Sequence, residues 1–278
     1  MPEDRRQYPS DRRAVSRRAA LFTGAAVAGG VLFGGAAQAV AAPSAAAAAA
    51  APTVRTRAAW NARPPTSPAQ VLNQAPTYIV VHHTATGNST DYSLAAAYAL
   101  SRSIQNYHMD SNGWADTGQQ LTISRGGHIM EGRNSSLSAI NNGRHVVGAH
   151  VANYNSRAVG IENQGTYTSA TPTTALYNAL VETCAWLCSA YGRPTSAIIG
   201  HRDLNATACP GDRLYAMLPQ LRRDVGARLS AMGNGRLAGA GLAAGEMPPF
   251  PEVPASEPEG RFRHGPALGS RDSNASAG

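Results

Sequence analysis

The sequence predicts an α/β protein in which helices flank a mixed central β-sheet. A continuous run of mainly β-branched residues, TYIVVHHTA at 77–85, is typical of a buried strand. Residues 173–192 carry apolar side chains at helical spacing and predict an amphipathic helix that Gly192 and Pro194 end. Strand and helix patterns alternate without a strict strand–helix–strand rhythm, which favours a mixed sheet with packed helices.

The other predicted elements follow in chain order. Residues 91–110 predict a helix with Asp91 as a candidate N-cap. Residues 119–133 predict a hairpin whose turn lies at Gly126 and Gly127. The chain then continues with a strand in 156–167, a short strand at 196–201 and a last helix in 209–229.

Composition divides the chain into four segments. Residues 1–41 resemble a twin-arginine export signal, because Arg17 and Arg18 precede an uncharged Gly/Ala-rich run that ends in an A-x-A cleavage site. A transmembrane anchor is the alternative, although Gly and Ala make this run only weakly apolar. The remaining segments are an Ala-rich linker at 42–53, one domain at 54–229, and a Gly/Ala/Pro-rich tail at 230–278 that is predicted to be disordered.

The charge is mildly basic. The formal net charge is +7, and loss of the signal would leave about +4. This value suits an anionic target such as cell wall, and ordinary surface arginines explain it equally well. It is too small to indicate nucleic-acid binding. We expect a secreted, extracellular or cell-wall-associated protein, monomeric, with no stable membrane insertion once the signal is cleaved.

The stretch GHRDLNATACPGD places His201 and Cys209 in one loop that follows a strand. Catalytic zinc binds three such ligands and keeps an open position for water. The strand VVHHT offers a third ligand in His82 or His83, which point to opposite faces of the sheet. A lone Cys in an exported protein is also often half of a disulfide, so spacing alone leaves the site open.

Five motifs occur in order along the domain: YIVVHHTAT, IQNYHMDSNGWADTG, IMEGR, VGAHVANYNSRAVGIENQGTY and IIGHRDLNATACPGD. Together they resemble the family of zinc N-acetylmuramoyl-L-alanine amidases and peptidoglycan recognition proteins. The resemblance implies a mixed sheet with surrounding helices and a groove for glycan and stem peptide. It also implies that Zn²⁺ is held by His82, His201 and Cys209, with His83 in a supporting role beside the substrate site.

One position departs from the family pattern, since Gln119 stands where many relatives carry a Tyr that activates water. Gln119 can still hydrogen-bond to substrate, but the change alone would suggest a binding protein. Glu162 argues for catalysis, because a carboxylate in an apolar strand is costly unless it is paired or functional. Some bacterial and phage relatives resemble this chain there and use the Glu as general base. A salt bridge from Glu162 to Arg157 or Arg202 is the structural alternative.

Five further side chains receive predicted roles. The Thr207 hydroxyl could stabilise an oxyanion or cap its turn. His150 is predicted to contact substrate or to hydrogen-bond near the zinc, and His145 to lie on the surface. Cys184 and Cys188, four apart on a helix, are predicted to be core thiols or a strained bridge.

These observations predict a zinc hydrolase that cleaves the amide between N-acetylmuramic acid and L-Ala of peptidoglycan. Glu162 and Thr207 are the expected catalytic residues. A non-catalytic peptidoglycan-binding protein is the first alternative. The second alternative is a structural zinc that only stabilises the loop. Such a site would need a fourth protein ligand such as His150 or His83.

Overall fold

The computed structural model describes residues 51–253. The predicted signal, nearly all of the linker, and the end of the tail lie outside these residues. Within them, no helix is both long and apolar enough to cross a bilayer.

A six-stranded sheet forms the centre of the domain, in the order β1-β5-β4-β7-β3-β8. β4 and β5 run antiparallel, while β3 runs parallel to both β7 and β8, so the predicted mixed sheet is confirmed. A separate antiparallel pair joins β2 to β6. The strands are β1 (Val54–Arg55), β2 (Val71–Leu72), β3 (Tyr78–His83), β4 (Leu121–Ile123), β5 (Ile129–Glu131), β6 (His145–Val146), β7 (Ala158–Asn163) and β8 (Ile198–Gly200).

Among residues 51–253, five α-helices accompany the sheet: α1 (Leu94–Asn106), α2 (Ser136–Asn141), α3 (Thr174–Tyr191), α4 (Asp212–Ala216) and α5 (Leu218–Ala231). The predicted long helices at α1 and α3 and the β4–β5 hairpin are confirmed. Ser93, rather than Asp91, caps α1 by accepting a bond from Ala96 N. The last predicted helix is two helices. Pro219 has no N–H to donate to a preceding turn, so it opens α5 instead of continuing α4.

The two faces of the sheet differ in chemistry. Alternate residues of the central strands, including Val81, Ile161 and Leu121, pack against α3 and α5 in the main hydrophobic core. The opposite face carries a smaller apolar cluster that includes Val80 and Leu204. His82, two residues beyond Val80 on β3, projects from this second face, and the polar residues of the candidate site gather beside it.

The prediction of disorder from residue 230 is wrong for the described part of the tail. Leu237 lies in the main core, and the Glu246 carboxylate pairs with Arg193 at 2.8 Å. The Tyr78 hydroxyl donates to the Glu246 carbonyl at 2.9 Å, and Phe250 N donates to the Asp203 carbonyl at 2.9 Å. These anchors depend on single side chains and backbone bonds, which leave no periodic signal in a Gly/Ala/Pro-rich sequence.

Candidate metal centre

Four neighbouring strands present a row of polar side chains on one face of the sheet. His82 of β3 is the register partner of Glu162 of β7, and Glu162 is also the partner of Thr122 in β4. Paired residues on parallel strands point to the same side. Gly200 of β8 is the partner of Val81, so His201, the next residue, stands level with His82. The register therefore brings a carboxylate and two imidazoles together.

His82, His201 and Cys209 form a group that can hold a metal ion. One ligand atom from each lies within 4.8 Å of the others, and all three side chains are buried. The His82 Nδ1 and Cys209 Sγ atoms are 3.7 Å apart. Two imidazoles and a thiol are the donor types zinc prefers, and a set of three matches catalytic zinc. This group has no fourth member among residues 51–253, which a closed structural site would require.

A set of contacts around Arg202, called the loop clasp below, holds Cys209 beside the end of β8. Arg202 N donates to the Cys209 carbonyl at 3.0 Å, and the Arg202 guanidinium pairs with Asp212 at 2.8 Å. Arg202 also lies over the Tyr215 ring, and the Tyr215 hydroxyl donates to Asp203 at 2.5 Å. Burial and that carboxylate raise the pKa of Tyr215 to about 12, so its hydroxyl keeps its proton. Sequence reasoning missed this clasp, although its residues flank both ligands in HRD and PGD.

Glu162 is fully buried beside His82. The two arginines considered as its partners make other contacts. Arg202 pairs with Asp212, and Arg157 lies over the rings of Tyr78 and Tyr154. The register places Glu162 in the polar row next to His82.

Gln119 reaches the same row from the segment that precedes β4. Its Nε2 donates to Thr122 Oγ1 at 2.9 Å, and its side chain is 1% exposed. Its Oε1 has no hydrogen-bond partner among the described residues. Gln119 therefore lies beside Thr122, the register partner of Glu162.

Thr207 caps the ligand loop, since its Oγ1 accepts a bond from Cys209 N at 3.1 Å. This is the turn role foreseen as its alternative. The oxygen acts as acceptor in this bond, which does not conflict with a donor role for the hydroxyl, so the two predicted functions are compatible.

His83 was predicted to have a supporting role beside the substrate site, and His150 to contact substrate or to hydrogen-bond near the zinc. His83 projects to the other face of β3, where its Nδ1 accepts from Tyr167 N at 3.2 Å. His150 is 1% exposed and has its Nδ1 at 3.0 Å from His82 Nε2. A Cβ at Gly160 would lie 2.7 Å from the His150 ring, so this approach requires glycine on β7.

The structure also decides two predictions for residues outside the metal centre, namely the paired cysteines of α3 and His145. Cys184 and Cys188 are buried free thiols, as one of the two alternatives predicted. The surface prediction for His145 is wrong, because its ring is fully buried and its Nε2 lies 2.8 Å from the Asn155 carbonyl. Burial lowers the pKa of His145 to about 4.

Comparison with known proteins agrees with this geometry. The family model Amidase_2, described as N-acetylmuramoyl-L-alanine amidase, matches residues 72–212. Human N-acetylmuramoyl-L-alanine amidase is 36% identical over 171 residues, 60% of this chain but 28% of the human protein. The chain thus spans less than a third of that relative. Peptidoglycan-recognition protein SC2 of Drosophila melanogaster is 36% identical over 165 residues, covering 59% of this chain and 83% of that protein.

Solved structures show the same fold. Drosophila PGRP-LB superimposes with a TM-score of 0.53 at 29% identity, covering 60% of this chain and 92% of that one. Peptidoglycan recognition protein-LE, in complex with tracheal cytotoxin, gives a TM-score of 0.51 at 28% identity, with 60% and 92% coverage.

Proposed function

The chain belongs to the N-acetylmuramoyl-L-alanine amidase family, and from this membership we propose that it is a zinc-dependent peptidoglycan amidase. The bond cleaved is the amide between the lactyl group of N-acetylmuramic acid and L-Ala of the stem peptide. The observation that carries the proposal is the three-donor group of His82, His201 and Cys209 with Glu162 as the register partner of His82.

The donor set fits zinc, and His82, His201 and Cys209 would hold the ion. When bound there, zinc would supply Lewis-acid chemistry that polarises the scissile carbonyl and acidifies the attacking water. Glu162 takes a proton from the attacking water and delivers it to the amine as the C–N bond breaks. The Thr207 hydroxyl, and the Gln119 amide beside Thr122, donate hydrogen bonds to the oxyanion.

A second function rests on Gln119. The Tyr common in relatives is absent at this position, and several relatives are named recognition proteins rather than amidases. A chain that holds wall fragments without cleaving them would use the same fold.

We further propose that the protein acts outside the cytoplasm, where peptidoglycan lies. The support is the pair Arg17-Arg18 followed by the uncharged run and A-x-A site. Replacing both arginines with Lys should leave the protein unprocessed inside the cell, and unchanged secretion would refute this route.

Muropeptide release separates the two functions. Mature protein, zinc-loaded or chelated, is incubated with purified sacculi, and the soluble products are identified by mass spectrometry. Free stem peptides that begin with L-Ala, lost on chelation and restored by zinc, are expected. Sacculus binding without such peptides would instead identify a recognition protein. Cleavage that survives chelation would exclude a zinc mechanism.

A further inference from the structure

On the premise that the centre binds zinc, we propose that the segment from His150 to Ala158 fixes the tautomers of both ligand histidines. The segment acts on the two ligands through two positioning residues, His150 at its start and Asn205 from outside it. Each touches one ligand imidazole at one end and a backbone carbonyl of this segment at the other. A carbonyl can only accept a hydrogen bond, so it decides which way each chain of bonds runs.

The first chain orients His82. His150 Nε2 lies 3.1 Å from the Ala158 carbonyl, so this nitrogen carries the proton. A neutral imidazole has one N–H, and His150 Nδ1 is therefore an acceptor. It lies 3.0 Å from His82 Nε2, which must donate. His82 Nδ1 then carries the lone pair, and this nitrogen lies 3.7 Å from Cys209 Sγ.

The second chain orients His201 by the same logic. Asn205 Nδ2 donates to the Ala152 carbonyl at 3.1 Å, which turns its Oδ1 towards the ligand. That oxygen lies 3.1 Å from His201 Nε2, and an amide oxygen can only accept. His201 Nε2 therefore carries the proton and Nδ1 carries the lone pair. Both ligands thus offer the same ring nitrogen to the metal.

Asn155 determines the backbone conformation of this segment. Its Oδ1 accepts bonds from His150 N at 2.8 Å and from Val151 N at 3.0 Å, which folds the chain back on itself. The Ala158 and Ala152 carbonyls then contact His150 and Asn205, which reach two ligands from different strands, since His82 lies in β3 and His201 follows β8. Partners that orient ligand histidines typically change metal affinity by about 10- to 100-fold when removed.

The test uses Asn205, because leucine and aspartate match its shape. N205L removes the acceptor, whereas N205D keeps an acceptor for His201 and loses only the donor to Ala152. Zinc affinity is measured on the mature protein by competition with a chromophoric chelator. Ring ¹⁵N NMR of the metal-free protein reports the tautomers. We expect N205L to bind zinc about 10- to 100-fold more weakly and to mix the His201 tautomers, with N205D near wild type.

Thermal unfolding of the metal-free variants shows whether each folds, and N205A replaces N205L if leucine does not. Wild-type zinc affinity in N205L, or an equal loss in N205D, would overturn the proposal. So would an Nδ1–H tautomer for either ligand in the wild-type protein. If the wild-type protein itself binds no zinc, the proposed function fails instead, and the two failures are distinguishable.

Discussion

His82 and Glu162 occupy the same register position on adjacent parallel strands, so one sheet face carries a zinc-type ligand beside a buried carboxylate. In the proposed mechanism this relationship separates metal binding from proton transfer, because β3 supplies the metal ligand and β7 the general base. Each function can therefore be removed by itself.

Glu162→Gln should abolish proton transfer while leaving the metal in place. The two side chains have the same shape, but the amide cannot accept the proton of the attacking water. We expect turnover to fall by about 100- to 10,000-fold with zinc affinity unchanged. E182Q, on α3 away from the centre, serves as the control and should retain full turnover. Undiminished turnover in E162Q would remove Glu162 from the mechanism.

Cys209→Ala should eliminate the stabilisation that zinc confers. A ligand at about 100 times its Kd raises the free energy of unfolding by about 2.7 kcal/mol. We therefore expect zinc to raise the Tm of the wild-type protein and to leave that of C209A unchanged. C188A is the matched control, because its buried thiol lies outside the metal group, and its Tm should still rise. An equal zinc response in C209A would mean that the thiol is not a ligand.

Thr207→Val tests whether the hydroxyl acts on the oxyanion or only on the loop. Loss of an oxyanion donor costs about 100- to 1,000-fold in kcat. T207S keeps both the donor and the acceptor for Cys209 N, so it should stay close to wild type. A T207V protein that loses zinc affinity but turns over normally at saturating zinc would show that Thr207 is a loop cap alone.

The three residues of the metal group were predictable from the sequence, but the residues that contact them were not. Strand alternation puts His82 and His83 on opposite faces, and the family resemblance selects His82 together with His201 and Cys209, which the fold does bring together. Asn205 looks like any loop residue in sequence. Its role depends on the Ala152 carbonyl, 53 residues away, and a backbone acceptor has no sequence signature. Helix and strand types were predictable because packing against one core imposes a period.

Burial of single polar residues was the least predictable feature. His145 stands in a short polar stretch, yet it lies on β6 with its ring enclosed by the domain. The buried position of His145 has a measurable consequence, because burial disfavours the charged form of the imidazole.

His145 should make the protein less stable at mildly acid pH. Burial lowers its folded-state pKa from 6.5 to about 4. As the pH falls through 6.5, the unfolded chain takes up a proton that the folded protein excludes, so this stabilisation is present above 6.5 and lost towards 4. The resulting loss in the free energy of unfolding amounts to roughly 3 kcal/mol. Urea unfolding of metal-free wild-type protein and H145Q at about pH 7 and about pH 4.5 measures it, and identical losses in both would refute the assignment.

Leu237→Ala tests whether the tail belongs to the folded domain. Leu237 is 8% exposed and packs in the main core, so truncation removes buried apolar contacts and leaves a cavity. We expect the free energy of unfolding to fall by about 2–4 kcal/mol. M247A is the control within the same tail, since Met247 is 57% exposed and its loss should change stability by less than about 0.5 kcal/mol. Equal, small effects of both substitutions would show that the tail adds nothing to the core, whereas a selective loss in L237A would extend the domain beyond α5.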